Sequence, residues 1–299
     1  MAEIVWNDGE KTVTLLAILI TLGIERFYRN LDEYRNLEWF SVWSNWVEAH
    51  QLVEGKWARA VSILLTLFAP LLLVQQLNVW MVEGGWLPEL LFSIVLLVLS
   101  MGPRDLRAQV ESILENWSQG DIEGGILKAE GLLDGELPEE EQKIVRTLTE
   151  SVLVEANQRL FSVLFWFVLL GPAAGLLVRL GLMLEQMQRG DEEDSSQSMI
   201  EQFNKLLAWP PAHLVAISYA MVGDFSSSFR RILEHAGDWN SNSKILRHSG
   251  LGAIRLEDDG VMTGTADLQE VWDALEMVRR SEVVWVALLA FLILAGYAN

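Results

Sequence analysis

Residues Leu160–Leu184 read LFSVLFWFVLLGPAAGLLVRLGLML, and Arg179 is the one charged residue among them. The stretch directly follows Arg159 and is followed by Glu185. As a single helix it would rise about 37 Å, which exceeds the roughly 30 Å hydrocarbon core of a bilayer. The stretch therefore predicts a membrane protein with a transmembrane helix over 160–184.

Composition narrows the possible functions. Of the 299 residues, 51% are hydrophobic and 21% are charged, which is typical of membrane spans that alternate with sizeable polar segments. A net charge of −19 argues against nucleic-acid binding, because that function needs a basic surface. The sequence has no cysteine, no P-loop and no metal-ligand spacing among its four histidines, so no cofactor and no metal are expected.

Six apolar segments predict an all-α integral membrane protein with about six transmembrane helices in a single membrane domain, 1–299. They lie at about 4–24, 58–80, 87–101, 160–184, 206–223 and 283–298. Pro210 and Pro211 interrupt the fifth segment. That segment is therefore either a span or a broken, re-entrant helix.

Three polar segments, 25–57, 102–159 and 224–281, carry amphipathic helical patterns and most of the Lys and Arg residues. Six spans with the N-terminus outside would place all three in the cytoplasm, as the positive-inside rule requires. The 185–205 connection would then lie outside. Its acidic run, 191–194, is interpreted as a solvated loop, with a metal site as the alternative.

Aromatic residues between the first two spans also follow a helical pattern. Trp39, Phe40, Trp43 and Trp46 recur at spacings of three and four. Such a helix lies on the membrane or packs against the spans. The alternative is a groove whose aromatic side chains stack on a ligand.

Four passages carry a family resemblance. They are LGIER at 22–26, LGPAAG at 170–175 ahead of Arg179, AWPPAHL at 208–214 ahead of YAMVGDF at 219–225, and SGLGAIR at 249–255. Their combined order resembles the AmpE family of bacterial inner-membrane proteins. The resemblance implies a multi-span protein associated with control of chromosomal β-lactamase induction, alongside a cell-wall amidase.

The AmpE family is similar in turn to the membrane-bound CobD/CbiB proteins of cobalamin biosynthesis, which attach an aminopropanol arm to a corrinoid acid. Those proteins carry a pattern like YRAVNTLD, and the matching residues here, 178–185, read VRLGLMLE. Arg179 is retained, Glu185 replaces the Asp, and Leu182 and Met183 replace the Asn and Thr. We interpret this loss of polar groups as loss of corrinoid amide synthesis.

Seven charged or polar positions are candidate ligand-binding residues: Glu25, Arg26, Arg179, Asp224, Arg230, Asn240 and Arg255. A charge within an apolar run indicates function by default. On that interpretation Arg179 is a buried anchor that pairs with a ligand or with Glu25. The alternative is that Arg179 lies near a helix end and its side chain snorkels to the membrane surface. Glu25 and Arg26 form either a boundary pair at the membrane surface or part of a site.

The other candidates lie on the polar side of the fifth segment. Asp224 would end a helix, where negative charge is unfavourable, and this favours a functional role. Arg230, Arg231 and Arg255 form a cytoplasmic anion site or only orient the chain in the membrane.

No catalytic residue is predicted, because the sequence contains no recognisable nucleophile–base motif. The first hypothesis is a regulatory protein linked to β-lactamase induction and cell-wall recycling, which binds a protein partner or a cell-wall-derived ligand. The second is a CobD/CbiB-type membrane enzyme that forms an amide on a corrinoid or related acid in an ATP-dependent reaction. A transporter is disfavoured, since the spans lack paired discontinuous helices.

Overall fold

The computed structural model describes residues 8–27, 35, 37–50, 58–102, 106–129, 132, 140–188, 195–235, 242–256 and 268–294. Within these ranges the chain is helical apart from short connections and has no β-strand, which confirms the all-α prediction. The acidic run 191–194 and the candidate residue Asn240 lie outside the described residues.

The helices follow one another with short connections. In chain order they are α1 (Asp8–Phe27), α2 (Glu38–His50), α3 (Ala58–Glu83), α4 (Trp86–Ser100), α5 (Leu106–Ser118), α6 (Ile122–Ala129), α7 (Glu141–Ala156), α8 (Ser162–Leu170), α9 (Pro172–Gln188), α10 (Ser195–Val222), α11 (Phe225–His235), α12 (Asn242–Ala253) and α13 (Gln269–Leu294). A π-helical turn, Asn157–Phe161, joins α7 directly to α8.

These helices form two compact units. The first unit takes the described parts of 1–103, 162–207 and 288–299, and the second takes those of 104–161 and 208–287. The single membrane domain stays a prediction.

Ten buried residues form an apolar core in the first unit: Leu37, Phe40, Ile63, Leu67, Leu71, Leu96, Leu176, Leu180, Leu184 and Ile200.

The second unit is organised around Leu153 of α7. Tyr219 of α10 is fully buried, and its hydroxyl donates a hydrogen bond of 2.9 Å to the Leu153 carbonyl. Helix α12 also approaches this point, since a Cβ on Gly250 would lie 2.5 Å from Leu153 Cδ1. Trp285 of α13 donates its Nε1–H to Ser218 Oγ at 2.7 Å. These contacts join α7, α10, α12 and α13 into one core.

Residues 160–184 do not form the single transmembrane helix predicted from their composition. Helix α8 ends at Leu170, and Gly171 has a φ of 88°, in the left-handed region that favours glycine. Pro172 then begins α9, a position for which its fixed φ suits it. Helix α9 folds back on α8, because a Cβ on Gly175 would lie 3.4 Å from Phe167 Cβ. The apolar stretch is a helical hairpin.

Two of the described helical stretches are long and apolar enough to cross a membrane, Arg59–Glu83 and Glu141–Leu170. The first coincides with the second predicted span. The other joins part of a predicted polar segment to the first half of 160–184. Helix α4 is apolar but has only 15 residues. The count of about six spans is not confirmed.

Two predicted boundaries are wrong for a common reason. Helix α10 begins at Ser195 and runs through Pro210 and Pro211, so the fifth apolar segment is not broken there and the connection predicted over 185–205 is shorter. Helix α13 likewise runs from the second unit's polar segment into the last apolar segment without interruption. Polar helical turns thus continue directly into apolar ones, and a hydropathy change does not mark a helix end.

Candidate functional site

Asp224 lies between α10 and α11 and caps α11. Its Oδ1 accepts a hydrogen bond of 3.0 Å from the Ser227 N–H, and its own N–H donates to the Ala253 carbonyl at 2.9 Å. The Ser227 hydrogen bond is the main reason that the pKa of Asp224 lies below its ordinary value of 3.8, and Arg255 lowers it further against the opposing effect of burial. The predicted unfavourable helix end is therefore wrong: Asp224 stands at a helix N-terminus, where negative charge is favoured.

Arg255 lies at the end of α12 with a φ of 61°, and it is the one described residue other than glycine with a positive φ. Its N–H donates to the Gly252 carbonyl at 3.2 Å, and the Leu256 N–H donates to the Leu251 carbonyl at 2.9 Å. This pair of bonds is a Schellman motif, in which glycine usually takes the left-handed position. An arginine there costs about 1 kcal/mol or more, so its presence suggests a role for the side chain.

The side chain of Arg255 returns to the start of α11. Its Nε donates to Asp224 Oδ2 at 3.1 Å, although the side chain as a whole is 80% exposed. Arg231 of α11 joins the same region, since its Nη2 donates to the Leu256 carbonyl at 2.9 Å and its Nη1 to the His248 carbonyl at 3.4 Å. We call Asp224, Arg231 and Arg255 the Asp224 cluster.

Glycines allow this close approach of α11 and α12. A Cβ on Gly223 would lie 2.5 Å from the Ala253 carbonyl oxygen, and a Cβ on Gly252 would lie 3.0 Å from Ser228 Cα. In both cases the neighbouring atom belongs to the backbone, so a larger side chain could fit only if a helix moved. Arg230 and Arg231 of α11 were both predicted to join Arg255 in an anion site. Arg230 is exposed, whereas Arg231 donates to carbonyls at the end of α12.

Glu25 is paired with a residue that sequence reasoning missed. Arg35 is only 1% exposed, and its Nη2 donates to Glu25 Oε1 at 3.0 Å. Its Nε and Nη1 donate to the carbonyls of Val98 and Gly102 at 3.2 and 3.4 Å. A cation is favoured at the C-terminal end of a helix such as α4. Arg35 thus ties α1 to the end of α4, while Arg26 is exposed.

Arg179 is buried, with 7% of its surface exposed, in the middle of α9. The snorkelling alternative assumed that Arg179 lies near a helix end, and its place in the middle of α9 contradicts that assumption. Its burial agrees with the other alternative, but binding of a ligand by Arg179 stays a prediction, and Glu25 has Arg35 as a partner.

A polar contact on α9 also went unrecognised. Asn204 of α10 is 7% exposed, and its Nδ2 donates to Glu185 Oε2 at 2.7 Å and to the Gly181 carbonyl at 2.9 Å. A Cβ on Gly181 would collide with Asn204 Oδ1. Helix α10 therefore supplies an amide beside Glu185, close in sequence to the positions where Leu182 and Met183 had indicated a loss of polar groups.

Comparison with known proteins places these features in a family context. The model of the family described as CobD/Cbib protein matches residues 18–276. The cobalamin biosynthesis protein CobD of Chromobacterium violaceum is 26% identical over 263 residues, which cover 80% of each chain. The protein of the same name from Stutzerimonas stutzeri is 29% identical over 186 residues, which cover 61% of this chain and 58% of that one. No solved structure matches.

These matches correct the functional prediction. The regulatory hypothesis is wrong, because the relatives found over most of the chain are named for cobalamin biosynthesis. The AmpE assignment and its links to β-lactamase induction and antibiotic response have no support. The similarity to CobD/CbiB proteins is confirmed, and with the two apolar stretches it is consistent with a membrane location.

Proposed function

Because the chain belongs to the CobD/Cbib protein family, we propose that it is a membrane enzyme that forms an amide on a corrinoid or related acid in an ATP-dependent reaction. The observation that carries the proposal is the family match, which extends over residues 18–276 and so includes most of both compact units. The names of the two relatives support cobalamin biosynthesis as the setting.

The proposed reaction joins a carboxylate to an amine. The amine nitrogen bonds to the carboxyl carbon and loses protons, one carboxyl oxygen leaves, and coupling to ATP transfers that oxygen to a phosphate product. The acid and the nucleotide are both anionic. Arginine suits such groups, since its planar guanidinium can donate two parallel hydrogen bonds to a carboxylate or a phosphate.

We assign anion binding to the Asp224 cluster. The hydrogen bond to Asp224 uses Nε of Arg255, and the Arg255 side chain as a whole is 80% exposed. Its terminal amino groups therefore face solvent, from which a carboxylate or phosphate could approach. Because its lowered pKa makes Asp224 a weak base, its role is to position Arg255 rather than to take the proton of the amine.

Arg179 and Glu185 are proposed as a second polar region for the same chemistry, in the first unit. The burial of Arg179 and the hydrogen bond between Asn204 and Glu185 support this assignment. For the location we propose a multi-pass protein of the bacterial inner membrane.

A complementation experiment tests the proposal. A bacterium that lacks its own CobD-family protein and needs cobalamin for growth would receive this chain on a plasmid. We expect growth on a corrinoid precursor, and we expect it to weaken at least tenfold with Arg255→Ala. The control Arg107→Ala removes a surface ion pair with Glu111 on α5 and should grow as wild type. No growth with this chain, in a strain that the Chromobacterium relative restores, would refute the proposal.

A further inference from the structure

Helix α2 has three distinct faces. Phe40, Ser44 and Val47 are buried and form the first. Three large apolar residues form the second: Trp39, Val42 and Trp46 are 48%, 70% and 44% exposed. The third is polar and exposed, and it consists of Glu38, Asn45 and Glu48. At about 100° per residue, the centres of these faces lie roughly 120° apart around the helix.

The buried face fixes α2 against α3. Phe40 belongs to the same core as Ile63 and Leu67 of α3, and Trp43 donates its Nε1–H to the Thr66 carbonyl at 3.1 Å. Helix α3 contains one of the stretches that are long and apolar enough to cross a membrane. It exposes large apolar side chains of its own, such as Leu72, which is 69% exposed. Helix α2 is therefore held beside a candidate membrane span.

We propose that α2 is an interfacial helix, with Trp39, Val42 and Trp46 inserted into the bilayer and Glu38, Asn45 and Glu48 facing water. A helix with one protein-facing, one apolar and one polar face fits the line where protein, lipid and water meet. Tryptophan suits this depth, because its ring is apolar and its N–H can bond to water or headgroups.

Charge identifies the kind of lipid contact. Residues 38–50 contain Glu38 and Glu48 and no Lys or Arg. The one basic side chain of α2 is His50, against two glutamates, so α2 itself gains little from anionic headgroups and burial of apolar surface has to supply the binding. Insertion should accordingly proceed in zwitterionic lipid and should not depend on salt.

Because the chain has no cysteine, a spin label can be placed at a single site without removing any native residue. Val42→Cys, Glu48→Cys and Leu72→Cys would be labelled and reconstituted separately in phosphatidylcholine vesicles. Accessibility to oxygen, which concentrates in lipid, would be compared with accessibility to a water-soluble nickel chelate. We expect the labels at 42 and 72 to favour oxygen and the label at 48 to favour nickel, with no change when a third of the lipid is phosphatidylglycerol.

Each other outcome overturns the proposal in a distinguishable way. Nickel access at position 42 equal to that at position 48 would place the face of Trp39, Val42 and Trp46 in water. Exclusion of both reagents at 42 would mean that a second copy of the chain or another protein covers this face. Oxygen access at 42 that required phosphatidylglycerol would mean electrostatic attachment. Nickel access at 72 as well would remove the membrane location itself, independently of the enzymatic proposal.

Discussion

Replacing Arg255 with glycine should separate the stability of the fold from its function. Glycine adopts the left-handed conformation without steric cost, whereas arginine or alanine at a φ of 61° pays about 1–2 kcal/mol. Arg255→Gly and Arg255→Ala both remove the ion pair with Asp224, so the difference between them isolates the backbone. We expect the glycine variant to be more stable than the alanine variant by about 1 kcal/mol.

Activity should follow the guanidinium instead. Both variants should lose at least tenfold in the rate of amide formation, and Arg255→Lys should recover part of it, because lysine keeps the charge but not the planar fork. Stability is measured by denaturant unfolding of the detergent-solubilised protein, and turnover by product mass. A glycine variant with wild-type turnover would refute a functional role for the side chain. An alanine variant at least as stable as the glycine variant would refute the conformational account.

Three further predictions concern the surrounding fold. Gly223→Ala should lower the free energy of unfolding by about 1–3 kcal/mol, since the added Cβ would meet backbone atoms at the end of α12. The control Gly23→Ala has open space around the added Cβ in α1 and should raise the free energy of unfolding by about 0.5–1 kcal/mol. Denaturant unfolding measures both. Tyr219→Phe should cost about 1–3 kcal/mol in the same assay, because the buried Leu153 carbonyl would lose the hydrogen bond from the Tyr219 hydroxyl. An unchanged midpoint would contradict that role. Arg279 and Arg280 lower the pKa of Glu276 from 4.5 to about 2, so its contribution to stability is present above pH 4.5 and is lost as the pH falls towards 2. Glu276→Gln should therefore flatten the dependence of the unfolding free energy on pH between 4.5 and 2. Parallel profiles for the variant and the wild type would exclude the effect.

Sequence reasoning succeeded where a helix coincides with an apolar run. The second apolar segment, 58–80, corresponds to α3, and the third, 87–101, corresponds to α4, while the membrane crossing of each stays a prediction. It failed at 160–184, because hydropathy counts apolar residues but does not register that Gly171 reverses the chain. The same limitation hid the continuity of α10, where two prolines suggested a break that the helix accommodates.

The candidate site shows a second limitation. Asp224 and Arg255 were both identified in the sequence, but their contact depends on how α11 and α12 pack. Arg35 looked like one more basic residue of the 25–57 segment, and only the fold reveals that it is buried against the end of α4. The loss of polar residues was judged along α9 alone, whereas Asn204 comes from α10. These features depend on packing between helices that are distant in sequence, and local sequence patterns do not show which helices pack together.

The central claim is amide formation, and the most direct measurement is the mass of the product. The purified protein in lipid nanodiscs would be incubated with a corrinoid acid, aminopropanol and ATP. We predict a product whose mass equals that of the acid plus the amine minus one water, formed only when ATP is present. Absence of this product, in a reaction where the Chromobacterium relative forms it under the same conditions, would contradict the account.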